Sequence, residues 1–448
     1  MKRRHIAVVG SGISGLSAAW LLSRTHRVTL IESDIRPGGH SNTVDCDIDE
    51  REVAVDTGFI VYNPPAYPNL TALFDHLAVP TAPSTMSFSV SMGDGAYEYA
   101  GSNLAQLVGQ PRNLLDPGHW RLIRDIPRFF RTALSRLPKL ADDMTMGEFL
   151  AAEGYSDYFT DRHLMPMAGA IWSAAPGDMR SYPARAFLKF FENHGLLKVS
   201  NRPQWRTVKG GSREYISRLV RDASFETRLR TPIAAIRRTA SGVTLRSSQG
   251  DEQSFDDVVI AAHADQALAM LADASPEERR ILGAFQYSRN RTILHRDGGM
   301  MPKRRRLWSS WNYLSELPPH AAGTSAVTYW MNALQPLPMS TPLFVTLNPR
   351  DEPRDETILG EFDYTHPIFD PGAMRAQQEL WRIQGERGTW FCGAYFGSGF
   401  HEDGLQAGLA VAERLGGVRR PWSVPEESGR IHLGPVYTGQ SIFREVTE

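Results

Sequence analysis

Residues 6–9, Ile-Ala-Val-Val, form a short and fully apolar run, the pattern of a strand buried on both faces of a parallel sheet. Apolar positions then recur at helical spacing through Leu16, Ala19, Trp20 and Leu22. Residues 28–31 make a second apolar strand, which ends at Glu32. Farther along, Ile236, Val243 and Leu245 alternate around Ser241 and Gly242 and predict a hairpin. Residues 255–262 read as another buried strand. Residues 390–395 read as a strand that leads through Gly397 and Gly399 into a helix near His401. Charge enters the pattern most sharply at one place. Trp120, Ile123, Ile126, Phe130, Ala133, Leu134 and Leu137 have helical spacing. Arg121, Arg124, Arg128, Arg131, Arg136 and Lys139 lie between them, and Asp125 is the only acid. Such a basic amphipathic helix suits an anionic membrane surface, and Pro127 is expected to kink or split it. The alternative is an ordinary surface helix.

The first two strands enclose a specific loop, Gly10-Ser11-Gly12-Ile13-Ser14-Gly15. Gly10 permits a tight turn, Gly12 lets backbone approach a pyrophosphate, and Gly15 lets helix and strand pack closely. The helix that opens at Ile13 and Ser14 then presents free N–H groups to the phosphates. Glu32 stands 22 residues after Gly10, where an acid meets a ribose hydroxyl and disfavours a 2′-phosphate. Ser33 follows it. Strand, loop, helix, strand and acid in this order predict a dinucleotide site. Directly after the second strand comes Arg36-Pro37-Gly38-Gly39-His40-Ser41-Asn42-Thr43, whose paired glycines can wrap the far side of the same pyrophosphate.

This element resembles the Arg-x-Gly-Gly-(Arg/His)-x-x-Thr stretch of the superfamily of flavin-containing amine oxidases, phytoene desaturases and protoporphyrinogen oxidases. The resemblance implies non-covalent FAD, with Gly38, Gly39, His40 and Ser41 at the cofactor. It extends to Asp56-Thr57-Gly58-Phe59, which looks like the family segment passing the isoalloxazine. It also covers Lys209-Gly210-Gly211-Ser212 and Thr231-Pro232-Ile233, where Ile233 is the expected adenine neighbour. At the last strand it implies contacts from Gly393, Ala394, Gly404 and Leu405. Relatives usually carry an acid where Ala394 stands. The implied architecture is α/β: a discontinuous Rossmann-like FAD-binding domain (residues 1–63, 206–284 and 381–420), an inserted α+β substrate domain (64–205 and 285–380) and a C-terminal arm (421–448). More narrowly, residues 169–173, 193–197, 362–367, 391–395 and 399–404 look like a bacterial subgroup associated with lipid methyltransferases. Its members include desaturases of methylated acyl chains in furan fatty acid synthesis.

Hydride chemistry belongs to the flavin, so the protein supplies orientation and a proton acceptor. His401 and Glu402 are the first candidates for that acceptor, and Tyr395 and His194 follow. Capping and core roles are the alternatives for them. Amine-oxidising relatives often carry a lysine on a substrate-domain strand, and Arg291 is the loose match here. The implied function is FAD-dependent desaturation of a hydrophobic substrate, with a methylated fatty acyl chain of a phospholipid favoured. The rivals are oxidation of a soluble amine, and a structural-FAD partner of a lipid methyltransferase.

Composition trims this picture. The net charge of −1 argues against a nucleic-acid partner. The two cysteines, Cys46 and Cys392, make no disulfide framework or cysteine metal cluster, and Cys392 reads as a buried apolar side chain. The histidines lack catalytic-zinc spacing, so no metal is expected. Glycines interrupt the apolar N-terminal run, and no other stretch has the length of a membrane span. A cytoplasmic protein is expected. A second basic–aromatic cluster, residues 303–306 with Trp308, Trp311 and Tyr313, can hold a phosphate head group and seat Trp at the interface. Together the two clusters would let the protein sit peripherally on the inner face of the membrane.

Overall fold

A computed structural model describes residues 3–434, apart from 142, 174–175, 199 and 317–324. Residues 435–448 of the expected C-terminal arm lie outside the described residues. The apolar strand His5–Val9 sits in the middle of a five-stranded parallel sheet. Its neighbours are Arg27–Ile31 and Asp257–Ile260, with Glu226–Arg228 and Thr389–Phe391 at the edges. Strands from three distant stretches thus share one sheet. All ten residues of the helix Ile13–Leu22 are buried. It packs along the helix His401–Gly416 so closely that a Cβ at Gly408 would lie 2.2 Å from the Ser14 carbonyl. The expected hairpin is present as Ile233–Thr239 paired with Gly242–Ser247, and Glu252–Phe255 adds a third strand. Ile236, Val243, Leu245 and Phe255 of this small sheet join the same core as Val258 and Ile260.

The rest of the chain builds a mixed seven-stranded sheet and a helical lobe. The sheet runs in the order Ile358–Ile368, Gln286–His295, Phe344–Leu347, Ser325–Trp330, Trp311–Ser315, Phe88–Met92, Tyr97–Ala100. Phe129, Phe149, Phe159, Phe187 and Phe191 fill the helical lobe.

Two expectations change here. The basic helix is one element, Pro117–Arg136, and it continues through Pro127. Its buried face holds His119, Leu122, Asp125, Phe129 and Ala133, while Trp120 and Leu134 are exposed. The core side is thus turned relative to the expected stripe: Ala133 is buried as expected, Ile123, Ile126 and Phe130 are half-buried at its edge, and Leu122 and Phe129 lie deepest. Asp125 is tolerated inside because its carboxylate accepts from Ser156 Oγ at 3.2 Å and faces Arg128 at 3.5 Å. In the second cluster, Lys303 pairs with Asp94, Arg304 pairs with the buried Glu98, and Tyr313 lies in the core. The Trp308 indole donates to the Pro302 carbonyl and packs edge-on against Trp330 and Phe344, so it anchors the sheet instead of a membrane. Among the described residues, no helix is long and apolar enough to cross a membrane.

Candidate active site

The glycine loop has the geometry its sequence predicts. Gly10 has φ +99°, and a Cβ there would lie 2.6 Å from the Ala261 carbonyl. Gly12 faces open space, with no chain atom within 4 Å of where a Cβ would project. Glu32 is buried beside it. Its carboxylate accepts from Ser11 N at 2.7 Å, Ser11 Oγ at 2.5 Å, Ser33 Oγ at 3.1 Å and Asp34 N at 2.9 Å. Two of these four donors are hydroxyls that can rotate aside for a ribose hydroxyl. Thr231 N donates to the Glu32 carbonyl, which brings the strand beginning at Ile233 alongside.

The second glycine element and the 56–59 segment run together. Phe59 N donates to the His40 carbonyl, and a Cβ at Gly58 would lie 2.2 Å from that oxygen. Thr57 Oγ1 contacts the Tyr364 hydroxyl at 2.7 Å. Asp56 ties three segments: it accepts from Thr43, from Ser212 N and Oγ, and from Gln335 Nε2. Burial pushes its carboxyl up to about 6. His401 stacks on Phe59 with ring centroids 3.8 Å apart, and its Nε2 meets the Tyr215 hydroxyl at 2.8 Å and Ser41 Oγ at 3.0 Å. Burial pushes His401 down to about 3, so its imidazole is neutral near pH 7.

Beside this cluster, His40 is joined by residues to which no role was given from the sequence alone. His40 lies 5.4 Å from His366 and 6.2 Å from His263, ring to ring. His366 Nδ1 meets Asn290 Nδ2 at 3.2 Å, and His263 stacks on Tyr287 at 4.5 Å. Burial and mutual repulsion hold His40 well below the usual histidine range, and His366 is pushed down to about 4. Only the match of residues 362–367 to a subgroup hinted at His366. His263 and Asn290 carry no local signal.

The three residues that open the last helix part company. Only His401 turns to the glycine elements. Glu402 is fully buried and caps the helix Pro68–His76, accepting from Asn69 N at 3.1 Å, Leu70 N at 2.9 Å and Asn69 Nδ2 at 2.8 Å, and from Gln406 Nε2 at 3.0 Å. Those bonds, two of them from backbone N–H groups that cannot turn aside, hold both carboxylate oxygens in place, so Glu402 is assigned to capping. Asp403 accepts from Phe400 N and pairs with Arg430 at 2.8 Å. Tyr395 is also reassigned. Its ring packs on Phe285 and Phe396 in the flavin-domain core, and its buried hydroxyl has no partner. Burial raises that hydroxyl well above the usual tyrosine range, so it stays protonated and cannot accept a proton at neutral pH. His194 bonds the Phe190 carbonyl and stacks on Phe190, a lobe residue. Arg291 faces outward to Glu352 and Glu361. Cys392 is wholly buried, with its thiol raised by burial.

The residues present fit FAD. Gly12 keeps its approach open, and His40 Nε2 is buried without a partner. The starts of two helices converge, since a Cβ at Gly404 would lie 3.0 Å from the Ile13 side chain and 3.7 Å from Ala394 N. Two helix N-termini side by side favour an anionic ligand. Near the same end, Trp172, Met179, Tyr182, Ser288, Pro367, Ile368, Phe369 and Asp370 line a cavity of about 70 Å³. Among the described residues, no group of three or more His, Cys, Asp or Glu side chains can hold a metal ion.

A parallel nucleotide-binding sheet joined to a substrate sheet, with glycine loops meeting paired helix starts, defines a two-domain FAD flavoprotein. Residues 13–291 match the family of flavin-containing amine oxidoreductases, and the chain belongs to that family, whose cofactor is FAD. A flavin-containing monoamine oxidase of Mycobacterium tuberculosis, AofH, is 27% identical over 261 residues, which are 56% of this chain and 55% of that protein. The chain thus spans about half the length of that relative. Among solved structures, a conjugated-linoleic-acid-producing fatty acid isomerase from P. acnes superposes with a TM-score of 0.65 at 16% identity, covering 92% of this chain and 97% of that one. Cyclohexylamine oxidase from Brevibacterium oxydans superposes with a TM-score of 0.65 at 16% identity, covering 92% and 100%. These likenesses concern the fold.

Proposed function

We propose that the protein is an FAD-dependent oxidoreductase that desaturates a hydrophobic substrate, with a methylated unsaturated fatty acyl chain of a phospholipid favoured. When bound, FAD accepts the hydride. The chain's residues orient the substrate, exclude water and take the proton. The inner face of the strand Gln286–His295 carries the reading. Ser288 lines the cavity, Asn290 bonds His366, Thr292 is buried, and the cationic Arg291 points away. Trp172, Tyr182, Ile368 and Phe369 make the remaining wall apolar, and Asp370 is spent capping the next helix. A neutral, apolar substrate meets no unpaired charge there. The fold shared with a fatty acid isomerase supports an acyl substrate. His401 Nε2 is the assigned proton acceptor, because it is neutral and its partners Ser41 and Tyr215 are hydroxyls, which can turn aside to free its single lone pair.

Kinship with AofH favours the second reading, oxidation of an amine. Anaerobic mixing separates the two. A phospholipid bearing a methylated unsaturated chain should bleach the flavin absorbance, and mass spectrometry should show the product lighter by two hydrogens. Bleaching by an amine and never by lipid would establish the amine reading. Bleaching by neither would favour a structural FAD in a partner of a lipid methyltransferase.

A further inference from the structure

Seven large apolar residues are exposed among the described residues, and five of them lie between positions 104 and 134. They are Leu104, Leu114, Leu115, Trp120 and Leu134, with Leu115 87% exposed. Leu114, Leu115 and Trp120 form one neighbourhood, and Leu134 stands on the same helix face as Trp120, about 21 Å along it. The Trp120 indole donates to the Leu114 carbonyl at 2.9 Å, and His119 Nε2 meets the Leu107 carbonyl at 3.0 Å. The buried Asn113 anchors the intervening turn through the Val108 and Glu98 carbonyls, so Leu114 and Leu115 project outward from a fixed base. On the helix Pro117–Arg136, positions 120, 124, 127, 131 and 134 fall on one face at helical spacing, and all five are exposed. That face reads Trp, Arg, Pro, Arg, Leu, with Arg121 beside it.

The charge around these residues is mostly positive. Among the described residues, Arg121 and Arg131 make no ion pair. The Arg124 side chain is 73% exposed and reaches only the buried Asp125, at 3.7 Å. Two of the nearby acids are taken. Asp116 caps the helix through Gly118 N and accepts from the Tyr158 hydroxyl, and Asp125 is buried. The second basic cluster arrives at the same place. Arg306 donates to the Gly109 carbonyl at 2.7 Å, and Gln106 Nε2 donates to the Arg306 carbonyl at 2.9 Å. Residues 197 and 200 positions apart in the chain are thereby neighbours.

We propose that this surface docks on an anionic phospholipid bilayer. Leu114, Leu115 and Trp120 enter at head-group depth, and Arg121, Arg124, Arg131 and Arg306 meet lipid phosphates. Apolar tips ringed by arginines have two needs, removal from water and a sheet of negative charge, and an anionic interface meets both at once. A nucleic acid would satisfy the arginines and leave the leucines in water. The docked helix also reaches the flavin end. Its buried Phe129 and Ala133 share a core with Phe187, Phe190 and Phe191, and Phe190 packs 4.7 Å from Phe400, the residue before His401. The surface does not depend on the substrate assignment, since an enzyme oxidising any apolar molecule can bind a membrane.

Flotation of the FAD-loaded protein tests it, with vesicles of phosphatidylcholine alone and of phosphatidylcholine with phosphatidylglycerol. The protein should float with the anionic vesicles at low salt, float less as salt rises, and stay behind with phosphatidylcholine. The double variants Arg121→Glu/Arg131→Glu and Leu115→Ser/Trp120→Ser should each lower partitioning by about tenfold or more. Their flavin absorbance and thermal midpoint should stay at the wild-type values. Arg128 is a poor probe, because its guanidinium holds the Glu153 and Gly154 carbonyls and covers the Tyr155 ring. Absence of flotation on anionic vesicles overturns the proposal, as does wild-type flotation of both variants. So does a self-associated species in light scattering that the Leu115→Ser/Trp120→Ser variant abolishes, or tight binding of a single-stranded oligonucleotide through the same arginines.

Discussion

The adjacent side chains at positions 401 and 402 do different jobs, and each can be tested alone. His401 keeps its Nε2 between two hydroxyls and its ring on Phe59. His401→Phe preserves the stack and removes the acceptor. Stopped-flow reduction should slow by about a hundredfold, the low end of what positioned acid–base groups supply, while FAD stays bound. Glu402 behaves differently, since its carboxylate serves the start of another helix. Glu402→Ala leaves buried donors unsatisfied and should destabilise the fold by about 1–3 kcal/mol in a denaturant titration. The reduction rate per bound flavin should stay within about twofold of wild type. A large loss of rate without loss of stability would restore Glu402 as a catalytic residue.

At the scale of elements, the glycine loop separates folding from cofactor binding. Gly12 has ordinary extended backbone, with φ −63° and ψ 177°, and open space before it. Gly12→Ala should therefore leave the thermal midpoint of the FAD-free protein unchanged. It should weaken FAD binding by about tenfold to a hundredfold, since the methyl group stands where a pyrophosphate must approach. Gly15 is the contrast, because a Cβ there would lie 1.9 Å from the Gly10 carbonyl. Gly15→Ala should yield little folded protein. Equal effects of the two changes, read by flavin absorbance and circular dichroism, would refute this division.

Across the whole molecule, burial of histidines sets the pH response. His163, His295 and His366 are pushed down to about 4, and His194 and His401 to about 3. A depressed folded-state pKa stabilises the protein above the unfolded value near 6.5, and that contribution is lost as pH falls toward the folded value. Asp56 and Asp403, both raised to about 6, act in the opposite sense. Their contribution is full below about pH 4 and disappears as pH rises through 6. Five histidines outweigh two aspartates, so the thermal midpoint should fall by on the order of 10 °C from pH 7 to pH 5. Asp56→Asn should remove part of the opposing slope between pH 4 and 6.5. A midpoint that rises on acidification would show that the buried imidazoles are not neutral in the native state.

Much of the nucleotide half was legible in the chain because its determinants are local. Strand His5–Val9, the loop from Gly10 to Gly15, and Glu32 are consecutive, and backbone sterics leave such a stretch few conformations. The helix Pro117–Arg136 was legible as a helix but not in its orientation. The expected apolar stripe runs through Ala133, and only packing against the lobe turned the helix so that Phe129 lies deep while Trp120 and Leu134 stay in water. The roles of Glu402, Tyr395 and His366 lay beyond any local pattern, because each is set by partners more than 100 residues away: Asn69 and Leu70 for the first, Phe285 for the second and His40 for the third. By itself the amino-acid sequence determined the nucleotide-binding architecture, since that depends on short-range backbone geometry and apolar periodicity. Only the tertiary structure decided which polar groups are buried against one another and which arginines and leucines remain in water, because burial is a property of the assembled surfaces.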